Sequence, residues 1–320
     1  MGFHEGELAV QRRAGVREAA DLLVDMLGSP ELSGRPAEFL GESVFAVLTA
    51  RDRDGRLWTS PLVGPPGFLE GERAKLRIGA LPAVGDPLRD LPAGQPVGLI
   101  SVDFARRRRV RVNGHLAAVG PDGMVVRVDQ AYGNCPRFIH RRRLTPTTVS
   151  GGTAVPTPGT TRRTADLDSG QLAIIGRTDT LFDSGQLAII GRTDTLFLGT
   201  AHPTGGADAS HRGGPPGFVH ARRTEVCWPD YSGNNMFNSL GNLVIEGSAA
   251  VLFLDFPSAT ALHVSGTAEV HWDAPVGEES DTGRLIRLRV RDVASGTPLP
   301  LRVEDVVARP RARSAADPGN

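Results

Sequence analysis

The chain repeats itself. Gly64-Pro65-Pro66-Gly67-Phe68 recurs 150 residues later as Gly214-Pro215-Pro216-Gly217-Phe218. The same offset lays Phe39-Leu40-Gly41 on Ile189-Ile190-Gly191, Ala46-Val47-Leu48 on Leu196-Phe197-Leu198, Gly55 on Gly205 and Ser60 on Ser210, without a gap. An offset of 152 then carries Asp103-Phe104 to Asp255-Phe256 and Gly114 to Gly266. Chance matches between Gly/Pro turns do not hold one register through a five-residue identity and then resume it. We read two versions of one module, so a fold for this chain has to serve both halves.

The first half shows what the module is. Val44 to Ala50 reads as a buried strand, Asp52-Arg53-Asp54-Gly55 as a hairpin turn, and Leu57 to Val63 as the return strand. Further short strands are predicted at 75–79, 97–104, 110–120 and 123–128. Frequent Gly and Pro between them point to a barrel or sandwich, not a parallel α/β sheet. Helical periodicity is confined to 7–27, read as one amphipathic helix, and to a short helix from Pro36 through Leu40. The fold class is mainly β with short helices. In the second half, strands are predicted at 285–290 and 301–307.

Between the halves lies a second, literal repeat. Asp168 to Phe182 and Asp183 to Phe197 are the same fifteen residues, DSGQLAIIGRTDTLF. Asp with Gln three residues on marks a helix start. Only the second copy runs into Leu198-Gly199-Thr200-Ala201, so it is taken as the module's own helix and strand, and the first copy as an insertion of loosely packed surface structure. A recent duplication, an engineered one and a sequence error all fit. The domain plan is a first module over 1–150 and a linker with the inserted copy over 151–182. A second module over 183–307 and a disordered Arg-, Pro- and Ala-rich tail over 308–320 complete it.

Composition removes several functions. Formal net charge is zero, so no global field favours nucleic acid or an anionic membrane. No apolar run approaches the ~18 residues of a membrane span. Two cysteines, Cys135 and Cys227, make neither a disulfide framework nor a zinc set, and a reducing cytoplasm is the simplest setting. The start of the chain carries no basic-then-apolar signal peptide. The eight histidines show no metal-binding spacing, and none of the nucleophile-elbow or dinucleotide fingerprints occurs. Arg106–Arg109 and Arg141–Arg143 are read as a solvated hairpin turn and a helix end in preference to a nucleic-acid surface, because no aromatic residues interleave them.

Chemistry is sought where the halves differ. Ser210-His211-Arg212-Gly213-Gly214 has the makings of a phosphate site: a fixed cation, a hydroxyl donor and glycines that let a ligand approach the backbone. The competing reading is a polar strand end with a Gly turn. The first half has Leu62-Val63 where Arg212-Gly213 stands. Tyr231 with Asn234 and Asn235 offers amide donors and acceptors, or else Ser232 or Asn234 caps a helix around 236–243. Asn134-Cys135-Pro136-Arg137 has no counterpart in the second half; Cys135 reads as a small buried residue before a reactive thiol. No residue stands out as a catalytic acid or base.

Gln130-Ala131-Tyr132-Gly133-Asn134-Cys135-Pro136-Arg137-Phe138-Ile139, Phe3-His4-Glu5-Gly6-Glu7 and Ala207 to Gly214 together resemble the pyridoxamine 5′-phosphate oxidase-like proteins. Pro229 to Asn235 also looks like a segment of that family. The resemblance covers most of 3–275. It implies six-stranded split β-barrels that pair, with FMN in the groove between them. Deazaflavin and haem are the alternative flat cofactors, and an interaction module without activity is the alternative function. It also implies flavin-dependent oxidoreductase chemistry on a small-molecule substrate or electron donor. Family members pair two chains; here one chain could supply both barrels as a monomeric pseudo-dimer, or form a homodimer. The implied cofactor contacts are Ser210, His211, Arg212, Gly213, Gly214, Tyr231, Asn234, Asn235, Asn134 and Arg137, the last standing where Lys is more usual. The chain's ending has no counterpart of the substrate-binding ending of authentic pyridoxamine phosphate oxidases. Because the halves differ in complementary ways, each is expected to supply a different wall of a single site.

Overall fold

A computed structural model describes residues 2–27, 31–133, 136–147, 162–163, 182–274 and 282–305. Asn134, Cys135, all of the first fifteen-residue copy except Phe182, and the tail lie outside the described residues.

Two antiparallel sheets of one topology make up the molecule. The first module contains β1 (Phe45–Arg51), β2 (Leu57–Val63), β3 (Leu69–Glu72), β4 (Lys75–Ile78), β5 (Pro96–Asp103), β6 (Arg108–Gly120) and β7 (Gly123–Gly133). Their order is β2-β1-β5-β6-β7-β4-β3. After β8 (Arg142–Pro146) and β9 (Arg162–Arg163) come β10 (Thr195–His202), β11 (Gly206–Gly213), β12 (His220–Arg222), β13 (Glu225–Pro229), β14 (Ser248–Asp255), β15 (Thr260–His271) and β16 (Leu285–Pro298). These follow β11-β10-β14-β15-β16-β13-β12, the same path strand for strand, with β9 added beside β16. Each path has seven strands and not the expected six, because the chain leaving each Gly-Pro-Pro-Gly-Phe turn adds a short edge strand. β9 falls inside the span read as linker. The last strand, β17 (Leu301–Asp305), pairs with β8 and ties the ends of the two modules together.

Each sheet curls around its own core. Alternate residues of all seven first-module strands, among them Leu48, Trp58, Leu69, Leu76, Leu99, Val112 and Val126, meet in one apolar cluster. Leu196, Leu198, Trp228, Val251, Leu262 and Leu288 do the same in the second. The hairpin turn is locked by Asp52, whose carboxylate accepts from the backbone N–H of Asp54 and Arg56 and from Trp58 Nε1 at 3.0 Å. The Gly-Pro-Pro-Gly-Phe turn recurs because its geometry does: Gly67 and Gly217 take φ of 91° and 86°. A Cβ on Gly64 or Gly214 would meet the ring of Phe68 or Phe218 at 2.5 Å.

An antiparallel sheet with one face in water alternates buried and exposed residues. β1 and β10 are instead buried almost throughout. The reason is the other module. Phe45, Val47, Ile100, Val102 and Phe104 share an apolar cluster with Phe197, Ala209, Leu252, Leu254 and Ala261. Contact is backbone-close at two glycines. A Cβ on Gly98 would lie 2.5 Å from the carbonyl carbon of Asp208, and one on Gly199 would collide with Thr49 and Thr59. The two split barrels therefore form an intrachain pair.

The helices depart most from expectation. The 7–27 stretch is not one helix. It is α1 (Glu5–Arg13), α2 (Arg17–Asp21) and a 3₁₀ turn (Val24–Leu27), broken where Gly15 takes φ of 68°. α1 is opened by a capping box of His4 and Glu7. The short helix becomes α3 (Gly34–Glu42), and its repeat partner is α4 (Ser184–Arg192), started by the predicted Asp183/Gln186 box. α5 (Asn238–Ile245) has no helical counterpart among the described residues of the first module, and α1 packs on it. Neither Ser232 nor Asn234 caps α5. The N-cap is Phe237, in the left-handed region at φ 60°, as is Asn235 at 61°. These two turns redirect residues 234–238 toward the other module. Among the described residues no helix is long and apolar enough to cross a membrane.

Candidate functional site

Strand alternation builds the site. On β11, Asp208, Ser210 and Arg212 fall on one face and His211 on the other. Facing them across the module boundary is β6, where Arg109 and Arg111 share a face for the same reason. Arg111 lies 2.9 Å from Asp208 and donates to Tyr132 Oη at 3.2 Å. Arg109 donates to His211 Nδ1 at 3.0 Å. Arg212 donates to Asp230 at 2.8 Å, and Arg284 holds the other oxygen of the same carboxylate at 2.8 Å. Arg111, Arg212 and Arg284 thus converge on the carboxylates of Asp208 and Asp230, while Arg109 stands beside them on His211, and the four guanidiniums outnumber the carboxylates even when Glu7, behind Arg111, is counted. Burial pulls the Arg212 guanidinium below its ordinary pKa, against the opposing pull of Asp230.

The walls enclose a cavity of about 80 Å³ lined by Arg109, Arg111, Ser210, Arg212, Asn234 and Asn238, among others. A second of about 60 Å³ lies against Arg137, Phe138, Tyr231 and Gly213. The first has room for a group the size of a phosphate. Buried polar groups in proteins are nearly always paired. Here Arg111 Nε, Arg212 Nε and Asn238 Oδ1 are buried atoms with no hydrogen-bond partner among the described residues. Guanidinium N–H groups left unmatched in a small cationic cavity suit an oxyanion.

The expected contacts divide. Arg212, Tyr231, Asn234 and Asn235 line the first cavity. Ser210 also lines it, but its hydroxyl donates to the Leu198 carbonyl at 3.2 Å and sits 3.0 Å from Ser239 Oγ, so its proton is already used. The glycines are not ligand clearances. A Cβ on Gly213 would strike the carbonyl of Phe138, and one on Gly214 the ring of Phe218, so both positions are small for packing. His211 carries no charge: burial first, then Arg109 and Arg212, hold its pKa well below the ordinary value. Its ring stands edge-on to Phe104 and Phe197. Arg137 donates to Ser232 at 3.2 Å at the mouth. There Phe138 stacks on Tyr231, centroids 4.7 Å apart, and closes the second cavity.

Arg109 and Arg111 were missed, because the Arg106–Arg109 run reads as a turn. The signal was the alternation Arg109-Val110-Arg111-Val112, which puts two cations on one face of a strand. Spacing also missed a histidine cluster: ligand atoms of His4, Glu5 and His202 lie within 4.8 Å of one another. Yet His4 Nδ1 accepts from the Gly6 N–H, and His202 Nδ1 from those of Thr204 and Gly205. With Nδ1 accepting from backbone N–H groups, the ring proton falls on Nε2, the atom a metal would need, and each Nε2 lies 3.4–3.6 Å from a carboxylate without making a hydrogen bond among the described residues.

Register locates the equivalent place in the other half. Arg111 pairs with Ile100 as His263 pairs with Leu252, and Arg212 pairs with Leu196 as Leu62 pairs with Ala46. Arg109, Arg111 and Arg212 thus correspond to Ala261, His263 and Leu62. His263 is fully buried, bonded to the Thr59 carbonyl and Thr297, and 3.6 Å from Asp86. Asp86 accepts from Ser60, the equivalent of Ser210, at 2.5 Å. That end of the interface is filled by protein.

No protein-family model matches the chain, and no curated protein matches it in sequence. Solved structures similar to it include HupZ of Group A Streptococcus, at 10% identity and TM-score 0.31 over 38% of this chain and 98% of that one. Another is a Clostridium acetobutylicum protein related to general stress protein 26 of B. subtilis, of the pyridoxinephosphate oxidase family (13%, TM-score 0.29, 39% of this chain and 97% of that one). A third is an F420 reductase (14%, TM-score 0.27, 36% and 98%).

Proposed function

We propose that the chain holds one phosphate-bearing flavin between its modules, FMN or a deazaflavin with the same phosphate end, and acts as an oxidoreductase on a small-molecule substrate or electron donor. The observation that carries this reading is the convergence of Arg109, Arg111 and Arg212 on one cavity, with the Nε–H of Arg111 and of Arg212 unmatched. The residues fit the phosphate end: guanidinium forks for its oxygens, walls from both modules, and little water. The bound ring would supply the electron chemistry. The ring, larger than the cavity, would lie at its mouth against the Phe138–Tyr231 stack. The same side chains then shield it from water, and Arg137 at the mouth adds a cation. Haem fits poorly, since His211 is the histidine at the cavity and, with its Nδ1 accepting from Arg109, the neutral ring carries its proton on Nε2, the atom that would have to ligate iron. The two modules are read as products of duplication, one of whose two equivalent sites has been filled by Asp86 and His263.

A visible spectrum and a mass of any ligand retained through purification test the cofactor directly. Titration of the purified chain with FMN and with riboflavin tests the phosphate. Arg212→Ala removes charge-assisted hydrogen bonds worth about 1.5–3 kcal/mol, so FMN affinity falls about ten- to a hundredfold while riboflavin affinity hardly moves. Equal affinity for FMN and riboflavin in the unmodified chain would contradict the assignment.

A further inference from the structure

The cavity has one neutral wall, and it is held from the far end of the chain. α1 and α5 touch backbone to backbone: a Cβ on Gly6 would collide with the Gly241 carbonyl, and one on Gly241 would sit 2.5 Å from the Glu7 nitrogen. So close an approach lets the short reach of Glu7 span the two helices. Its side chain, 2% exposed, accepts at one oxygen from the His4 N–H at 2.8 Å and at the other from Asn238 Nδ2 at 3.0 Å. Next to it, Gln11 donates to the Met236 carbonyl at 3.1 Å and so pins the segment that leads into Asn238. Asn238 lines the cavity, and with Nδ2 given to Glu7 its Oδ1 is left buried and without a hydrogen-bond partner among the described residues.

We propose that Asn238 reads a hydrogen-bond donor, N–H or O–H, on the ligand of the cationic cavity, and that Glu7 is the positioning residue that fixes its amide. The inference rests on the flavin reading, which supplies the probe. Both carboxylate oxygens of Glu7 are used as acceptors, and a protonated or amidated side chain offers one fewer. The Asn238 amide is then free to turn Nδ2 to the cavity, replacing an acceptor by a donor. Burial raises the Glu7 carboxyl to a pKa of about 7, opposed by its bonds to Asn238 and His4. The charged and titratable groups that face it are His4 at its own helix start, Asp208 on β11, Arg111 on β6 and Tyr132 on β7. Burial lowers His4 to about 4, so it stays neutral through the range in which Glu7 titrates. The sign follows: ligand affinity is full above pH 7 and falls as Glu7 protonates.

The experiment is FMN titration of the full chain between pH 6 and 8.5, with Glu7→Gln, Asn238→Leu and Arg212→Ala beside it and thermal melting as the folding check. At pH 8, Glu7→Gln and Asn238→Leu should each weaken FMN about tenfold. Glu7→Gln should also abolish the loss of affinity toward pH 6, apart from the phosphate's own titration, which all variants share. If Arg212→Ala weakens FMN while Glu7→Gln and Asn238→Leu stay within about twofold of the unmodified chain, or if the pH profiles of Glu7→Gln and the unmodified chain run parallel, this inference alone is overturned. An unmodified chain that takes up no FMN overturns the flavin reading and this one with it.

Discussion

Arg106 and Arg109 stand three apart in one basic run and do different work. Arg106 is exposed and pairs with Glu42 and Asp103 at the surface. Arg109 points inward to His211 and the cavity. Exposed ion pairs are screened by water and contribute little, so Arg106→Ala should leave both melting temperature and FMN affinity nearly unchanged. Arg109→Ala should weaken FMN about tenfold or more, read by the same titration. If the two variants behave alike, Arg109 is not part of the site. At this scale the sequence was half legible. Arg212 stood out because the other half has Leu62 in its place. Arg109 and Arg111 did not, because their function depends on a strand from the other module that no local pattern announces. The glycines after Arg212 were legible as tight positions but not as to what presses on them. That turns out to be Phe138 and Phe218, not a ligand.

Strands were the easiest elements to read, since Gly and Pro fixed their ends and the hydrophobic runs their middles. The Asp183/Gln186 helix start was equally clear. The N-terminal helix was overextended, because apolar spacing continued past Gly15 and only the left-handed backbone there shows the break. α5 was shifted for a similar reason: Phe237 at positive φ, not a polar cap, begins it. What sets the site is how closely elements approach, and glycine is the marker. A side chain at Gly98 on β5 would press on the backbone of Asp208 in β11, the strand that also carries Arg212. Overpacking of this kind costs about 1–3 kcal/mol. Gly98→Val should therefore lower the melting temperature and, by displacing Asp208 from Arg111, weaken FMN as well. Gly41 in α3 has open space around it, so Gly41→Ala should be neutral or gain up to about 1 kcal/mol. A Gly98→Val chain that melts and binds normally would refute the close-packed boundary.

At the scale of the molecule, one topology is used twice and one site is made from it. A pairing of identical barrels places equivalent surfaces at both ends of the interface. Here one end carries three guanidiniums around a cavity, and the other carries Leu62, Ala261 and a buried His263 beside Asp86. The duplication was written plainly in the repeated Gly-Pro-Pro-Gly-Phe turn. Its consequence, that each half supplies a different wall, was visible only as a pair of mismatches until the strand registers aligned them. The central claim is a single phosphate-flavin site per chain, shared by both modules. Its most direct measurement is the flavin content of the saturated chain, by native mass and by absorbance against protein concentration. One flavin per chain is expected, bound about ten- to a hundredfold more weakly in Arg212→Ala and with unchanged affinity when Ala261 or Leu62 is changed to Ser. Two flavins per chain, or one whose affinity does not depend on Arg212, would contradict it.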